Sequence, residues 1–221
     1  MKLSEARKDY YRKRAKDDGF RSRSAYKLLQ LNKSYHFLRK GSRVIDIGSY
    51  PGGWLQVAKG EVGEHGLVIG TDLKRVDYLE DVVLLNYSVE DPELQEYLVQ
   101  HVGRVDVILS DLSPNISGIW EIDHITQINL SRVALGLATK VLIEGGAGIF
   151  KVFDGDTLGT FVKELSSQFK RVKISKPSAS RQSSSESYLV CSGFQGLKLI
   201  PNSDNGSTNR KEKGALSNKW T

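Results

Sequence analysis

Residues 46–54 read Asp46-Ile47-Gly48-Ser49-Tyr50-Pro51-Gly52-Gly53-Trp54, and Arg43-Val44-Ile45 stands just before them. A short β-branched run thus ends in a carboxylate and passes into glycines. That order predicts a strand, a tight turn and the start of a helix, with backbone held close to a ligand. The dinucleotide fingerprint for such a turn is G-x-G-x-x-G, whereas this chain has D-x-G-x-x-P-G-G. A negative charge at the strand end is a poor neighbour for pyrophosphate. It suits the amino-acid portion of S-adenosylmethionine, which carries an ammonium and a sulfonium. One strand on, Leu67-Val68-Ile69-Gly70-Thr71-Asp72 also ends in an acid, about 20 residues past the glycines, the spacing of a carboxylate that grips ribose hydroxyls. The competing interpretation is a plain tight turn with Asp46 as a helix cap.

The rest of the chain alternates in the same way. Segments 43–47, 67–72, 82–85, 105–110, 147–153, 172–175 and 188–194 are mostly short, apolar and β-branched, as strands buried on both faces tend to be. Helical stretches lie between them, notably 127–143, where Leu130, Ala134, Leu137 and Val141 recur at helical spacing and Gly145-Gly146 marks the expected stop. The alternation predicts an α/β, Rossmann-like fold: a mostly parallel seven-stranded sheet with helices on both faces. Such sheets bind ligands beyond the carboxyl ends of their strands. Residues 1–40 read as helical and basic, with Ser24 as a cap before Ala25-Tyr26-Lys27-Leu28-Leu29. After Gly196 the chain turns polar, which predicts one domain over 1–196 and a disordered tail over 197–221.

Composition narrows the class. A chain of 221 residues with 39% apolar residues can bury one core of ordinary size. No apolar run reaches membrane-spanning length, and the charged N-terminus lacks the apolar stretch of a secretory signal. The single Cys191 excludes an internal disulfide and a cysteine metal cluster, and is expected in the core. His36, His65, His101 and His124 show no ligand spacing, so no metal and no evident partners are expected for them. These features point to a cytoplasmic protein. The net charge is +6, and residues 1–23 carry nine basic against four acidic side chains with Tyr10, Tyr11 and Phe20 interleaved. Cations mixed with aromatics suit a nucleic-acid backbone with stacked bases, and equally suit a solvated helix face.

Four separated segments, DIGSYPGGW, SDLSPNISG, GIFKVF and SSSESYLV, match in order and spacing the FtsJ/RrmJ (RlmE) family of RNA ribose 2′-O-methyltransferases. The chain resembles that family over roughly residues 5–195. The resemblance implies a catalytic Lys-Asp-Lys-Glu tetrad at Lys27, Asp111, Lys151 and Glu186, with Lys151 as proton acceptor. It implies S-adenosylmethionine contacts at Gly52, Trp54, Asp72 and Asp111, beside the turn residues Asp46, Gly48 and Gly53. The residues make sense of this chemistry. A ribose hydroxyl is a weak nucleophile with a pKa far above 7, so a neighbouring group must take or steer its proton. A lysine can do so where burial or a nearby cation favours its neutral form. Two lysines and two carboxylates sum to zero charge, which eases burial. The family's Gly-Asp after the third strand is absent; that place falls near Ser88 and leaves the adenine contact to Val89 backbone or Asp91. Ser49-Tyr50 also stand where smaller residues are common in the family.

The resemblance further implies an RNA partner, expected to be a uridine of large-subunit (23S) rRNA, with tRNA as the alternative. The basic N-terminal segment would lead RNA towards Lys27; Arg181 with Ser183-Ser184-Ser185 reads first as a flexible loop and, alternatively, as the opposite wall of the RNA groove. No DNA or membrane partner and no oligomer is expected. Two rivals belong to other classes: a non-catalytic RNA-binding protein of the same fold, and a nicotinamide-dependent oxidoreductase. The intact tetrad opposes the first and the D-x-G-x-x-P-G-G turn the second. A methyltransferase aimed at a base or small molecule is a further alternative, though no aromatic follows Pro114 to stack a base.

Overall fold

The computed structural model describes residues 3–180 and 184–196, with side chains from residue 10 onward. Two helices, α1 (Leu3–Asp17) and α2 (Ala25–Tyr35), precede the sheet. The chain then runs β1 (Arg43–Ile47), α3 (Gly53–Val62), β2 (Leu67–Thr71), β3 (Val82–Leu85) and α4 (Pro92–Tyr97), which a π-helical turn at Leu98–Val102 continues. It ends with β4 (Val105–Ser110), α5 (Trp120–Val141), β5 (Leu142–Phe153), α6 (Leu158–Gln168), β6 (Phe169–Ser175) and β7 (Glu186–Phe194).

All seven strands form one sheet of order β3-β2-β1-β4-β5-β7-β6. β1 pairs in parallel with β2 and β4, and β4 with β5. β7 runs antiparallel between β5 and β6. The strand order reverses between β1 and β4, which opens a crevice beyond their carboxyl ends. The pleat divides the core in two. Ile45, Ile47, Phe150, Val152 and Leu189 pack with α5 and α6 on one face. Val44, Leu109, Ile149 and Tyr188 pack with Trp54, Leu55 and Leu28 on the other. Side chains two apart on a strand share a face. Asp46 therefore follows Val44, and Lys151 follows Ile149, onto the α2–α3 side.

Several expected boundaries shift. The long helix begins at Trp120 and stops at Val141, and Leu142 is already extended (φ −69°, ψ 140°). Gly145-Gly146 therefore do not end it; they lie within β5, beside a register irregularity between Val105 and Val107. A Cβ on Gly146 would stand 2.9 Å from the Ile143 carbonyl oxygen and 3.0 Å from that of Asp106, so close backbone approach explains the glycine. Ser24 is not a side-chain cap: it is itself helical (φ −64°, ψ −20°), and its hydroxyl pairs with that of Ser22 at 2.7 Å. Asp72 falls just beyond β2, while β6 and β7 begin earlier than their apolar runs suggest, at Phe169 and Glu186. Among the described residues, no helix is long and apolar enough to cross a membrane. The tail at 197–221, Arg181 and Ser183 lie outside the described residues.

Candidate active site

The turn after β1 is built by glycines at φ 78° (Gly48) and 109° (Gly52), a region that side-chain-bearing residues avoid. A Cβ on Gly53 would come 2.3 Å from the Ser22 hydroxyl, so backbone there must pack without a side chain. Asp72 braces the turn: its Oδ2 accepts the Tyr50 N–H at 2.9 Å and its Oδ1 the Lys74 N–H at 2.8 Å. Arg21 clamps the same region from outside, donating to the carbonyls of Pro51 (3.4 Å), Asp77 (2.8 Å) and Tyr78 (2.6 Å). The Trp54 indole N–H donates to the Ser24 carbonyl at 2.9 Å, and its ring lies 5.6 Å from Tyr188. That side chain is therefore committed inside the fold, and what Trp54 can offer a ligand is its backbone in the first turn of α3, where N–H groups lack helical partners.

Asp46 stands apart from this bracing. It is 0% exposed, yet among the described residues both carboxylate oxygens lack any hydrogen-bond partner, as does the buried Ser49 hydroxyl three residues on. Burial, then the nearby charges of Asp111 and Asp72, push the Asp46 carboxyl well above the ordinary carboxylate range. Buried polar atoms are nearly always paired in a finished fold. Three orphaned atoms at one glycine turn, one pair of them carboxylate oxygens among other acids, fit a cationic ligand. The ammonium and sulfonium of S-adenosylmethionine have that chemistry, and a nucleoside with two ribose hydroxyls fits the free lone pairs of Asp72.

Beyond the carboxyl ends of β4 and β5 the four tetrad residues come together. Lys151 and Tyr188 are directly opposite on β5 and β7, as are Phe153 and Glu186, so all four share one face. Lys151 Nζ lies 3.5 Å from Asp111 Oδ1 and 3.9 Å from Glu186 Oε2. Lys27, brought in by α2, pairs with Glu186 Oε1 and donates to the Tyr188 hydroxyl at 3.3 Å. Burial would raise the Glu186 carboxyl, but Lys27 and Lys151 outweigh it and hold the group below its usual value. Tyr188, which sequence reasoning passed over, is the centre of the group. Its hydroxyl reaches Asp111 Oδ1 at 2.9 Å and Glu186 Oε1 at 3.2 Å. Burial, with Asp111 and Glu186, pushes the phenol far above its ordinary pKa, so it remains a donor. Its place two residues after Glu186 on an alternating strand was the available signal.

A second buried network stands behind the site. Gln127 and Ser131, one turn apart on α5, both hold the Lys151 carbonyl, at 3.0 Å and 2.7 Å. Gln127 also donates to the Leu112 carbonyl at 3.2 Å, next to Asp111. His124, whose partners the sequence does not name, makes three contacts. Thr157 N–H and its hydroxyl approach Nε2 at 3.1 Å and 2.7 Å, and Nδ1 lies 3.1 Å from the Phe153 carbonyl. A backbone N–H can only donate, so Nε2 accepts and Nδ1 carries the proton. Near the missing Gly-Asp, the Ser88 N–H donates to Asp91 Oδ2 at 2.6 Å and Val89 is buried, which occupies one oxygen of Asp91. Cys191 is buried in the core, as expected.

A reversed seven-stranded sheet with an orphaned acid at its first glycine turn defines a Rossmann-like, S-adenosylmethionine-dependent methyltransferase. Residues 20–194 match the family model for FtsJ-like methyltransferases, and the chain belongs to that family. It is 43% identical over 196 residues to "Ribosomal RNA large subunit methyltransferase E" of Cenarchaeum symbiosum, covering 89% of this chain and 100% of that one. The protein of the same name from Methanothrix thermoacetophila is also 43% identical, over 90% of this chain and 75% of its own. Among solved structures, a Plasmodium falciparum chain assigned as a ribosomal RNA methyltransferase superposes with a TM-score of 0.73 at 29% identity, covering 80% of this chain and 100% of that one. Aeropyrum pernix fibrillarin, solved with natively bound S-adenosyl-L-methionine, shares the fold at a TM-score of 0.54 and 14% identity, over 76% of each chain.

Proposed function

We propose that this methyltransferase acts on the ribose 2′-oxygen of large-subunit ribosomal RNA, with uridine the expected nucleotide. The observation that carries the chemistry is the closed network of Lys27, Asp111, Lys151 and Glu186 around Tyr188, beside the unpaired Asp46. The substrate follows from the names of the relatives above. S-adenosylmethionine, when bound, supplies a methyl group made electrophilic by its sulfonium. Asp46 and Asp72 would hold it, with backbone N–H groups at Gly52, Gly53 and Trp54. Lys151 accepts the proton of the ribose hydroxyl. Asp111 and Glu186 position the Lys151 amino group, Lys27 shares Glu186 with it, and the proton that Lys151 takes from the hydroxyl offsets one of the two carboxylate charges. Gln127 and Ser131 fix the strand on which Lys151 rides. An open basic cavity of about 590 Å³ lined by Arg12, Lys16, Phe20, Arg21 and Arg23 lies just before α2 and supports a path for the RNA backbone.

The test is transfer of labelled methyl by wild type and Lys151→Ala onto undermodified large ribosomal subunits, naked rRNA and bulk tRNA, with nuclease mapping of the label. The expected result is a 2′-O-methyl on large-subunit rRNA, reduced about 10²- to 10⁴-fold in Lys151→Ala, the usual worth of a general base. Label on tRNA alone overturns the substrate, and label on a base overturns the chemistry.

A further inference from the structure

We infer that Trp120 is a stacking platform for a base of the RNA substrate close to the methylated ribose. The inference deepens the function proposed above and rests on it. Trp120 opens α5, directly after the loop that begins at Asp111 and Leu112. Its indole lies nearly parallel to two rings, Phe153 at 6.0 Å and 26° and His124 at 6.1 Å and 25°. Those two are 8% and 4% exposed, while Trp120 is 43% exposed. Both supports are buried, and nearly half of the Trp120 side chain is left open to solvent. A large aromatic held flat and open is what a base needs in order to stack.

The supports are themselves rigid. Phe153 follows Lys151 by two residues on the same face of β5, about 7 Å along the strand. His124 is locked by its three hydrogen bonds to Phe153 and Thr157. A Cβ on Gly155 would come 2.7 Å from the His124 ring, so the β5–α6 loop is fitted to that imidazole. Trp120 is thus tied through one ring and one loop to the strand that carries the proton acceptor.

Charge decides what part of a nucleotide fits. Glu121 beside the indole, and Asp154 and Asp156 on the loop after Phe153, are all exposed. They repel phosphate, whereas the basic cavity before α2 attracts it. The RNA backbone would therefore lie on the α1–α2 side of the tetrad with a base turned towards α5. Ile116 and Ile119, exposed on the approach to Trp120, extend the platform with uncharged surface.

The test uses the full chain and an rRNA fragment that the wild type methylates. Each nucleotide flanking the methylated one is made abasic in turn. Trp120→Ala is expected to raise KM for the RNA by between about 5- and 150-fold, the range of one lost base–aromatic stack. Saturated kcat and S-adenosylmethionine binding stay near wild type, and Trp120→Phe recovers most of the loss. One abasic substrate should weaken wild type by a similar factor and leave Trp120→Ala unaffected. An unchanged KM, or a loss that no abasic site removes, overturns the platform and leaves the methyltransferase function standing. Normal activity on naked RNA but lost activity on assembled subunits would assign the surface to a ribosomal protein and overturn it too. A wild type that methylates no RNA overturns the function and the platform together.

Discussion

Asp46→Asn should make the ligand-free protein more stable and the ligand-bound protein less so. The carboxylate is 0% exposed and has no partner for either oxygen. An unsatisfied buried polar group costs about 1–3 kcal/mol, and more when charged. Removing the ionisable group while keeping the shape should therefore return about 1–3 kcal/mol at pH values above the raised folded pKa, where the carboxyl is forced to ionise. In a domain of this size that raises Tm by roughly 2–12 °C, at about 2–4 °C per kcal/mol. The pH dependence has a definite sign. Because the folded carboxyl is held well above the ordinary range, the native state keeps a proton that the unfolded chain releases above about pH 4. That stabilisation is complete below pH 4 and is lost as pH rises through the raised folded value. Asp46→Asn lacks this slope. With ligand the order reverses. A lost charge-assisted hydrogen bond is worth about 1.5–3 kcal/mol, or roughly 10- to 150-fold in Kd. At 1,000 times its Kd, S-adenosylmethionine stabilises wild type by about 4 kcal/mol, whereas a variant binding 100-fold more weakly gains only about 1.4 kcal/mol. Thermal melts from pH 4 to 9, with and without ligand, together with calorimetric titration, measure all of this. A less stable ligand-free variant, or an unchanged gain on adding ligand, would refute the argument that this carboxylate waits for a cation.

Two further substitutions probe the scaffold of the tetrad. Tyr188→Phe removes the donor to Asp111 and the acceptor of Lys27 without changing the ring that packs on Trp54. It should cost about 1–3 kcal/mol in denaturant unfolding and lower kcat by at least about tenfold with S-adenosylmethionine binding retained, since one misplaced group costs up to about 10² in rate; full activity would show that the hydroxyl only fills space. Gln127→Leu frees the Leu112 carbonyl and leaves Ser131 alone on that of Lys151. Single-turnover methylation should slow by about 10- to 100-fold at unchanged KM for RNA, whereas a loss that merely tracks the folded fraction would make the network structural only.

What could be read in the sequence were the residues whose types conflict with their surroundings. A carboxylate closing a β-branched run at Asp46 and a lysine between Phe150 and Val152 are both anomalous for buried strands, and both mark the site. Sequence did not show the members that look ordinary. Tyr188 in an apolar strand reads as core, and only the antiparallel pairing with Lys151 reveals it as the centre of the tetrad. Gln127 and Ser131 fall on a helix whose apolar spacing drew attention away from them, yet their side chains satisfy a strand carbonyl rather than solvent. His124 had no neighbour in sequence to suggest its partners, because they come from the end of β5 and the loop after it, 29 and 33 residues on. Gly145-Gly146 shows the opposite case: locally the pair reads as a helix stop, while the tight approach of Asp106 in β4 uses it inside a strand.

The charges of the site fall into three compartments, and the division bears on turnover. The tetrad pairs two lysines with two carboxylates, so a proton taken up by Lys151 would complete its charge balance. The α1–α2 flank is basic and would suit a polyanion. Asp46 is an acid in the apolar interior, where burial, and then Asp111 and Asp72, disfavour its ionisation until a cation arrives to pair with it. A carboxylate that held the methyl donor there would discriminate between two forms of one ligand. It would gain from the sulfonium of the donor, and gain less from the neutral thioether left after transfer. That preference is separate from the proton step proposed for Lys151. It would act on exchange: Asp46 would hold the spent product less tightly than the fresh donor, so the same feature that destabilises the empty fold would favour the next turnover.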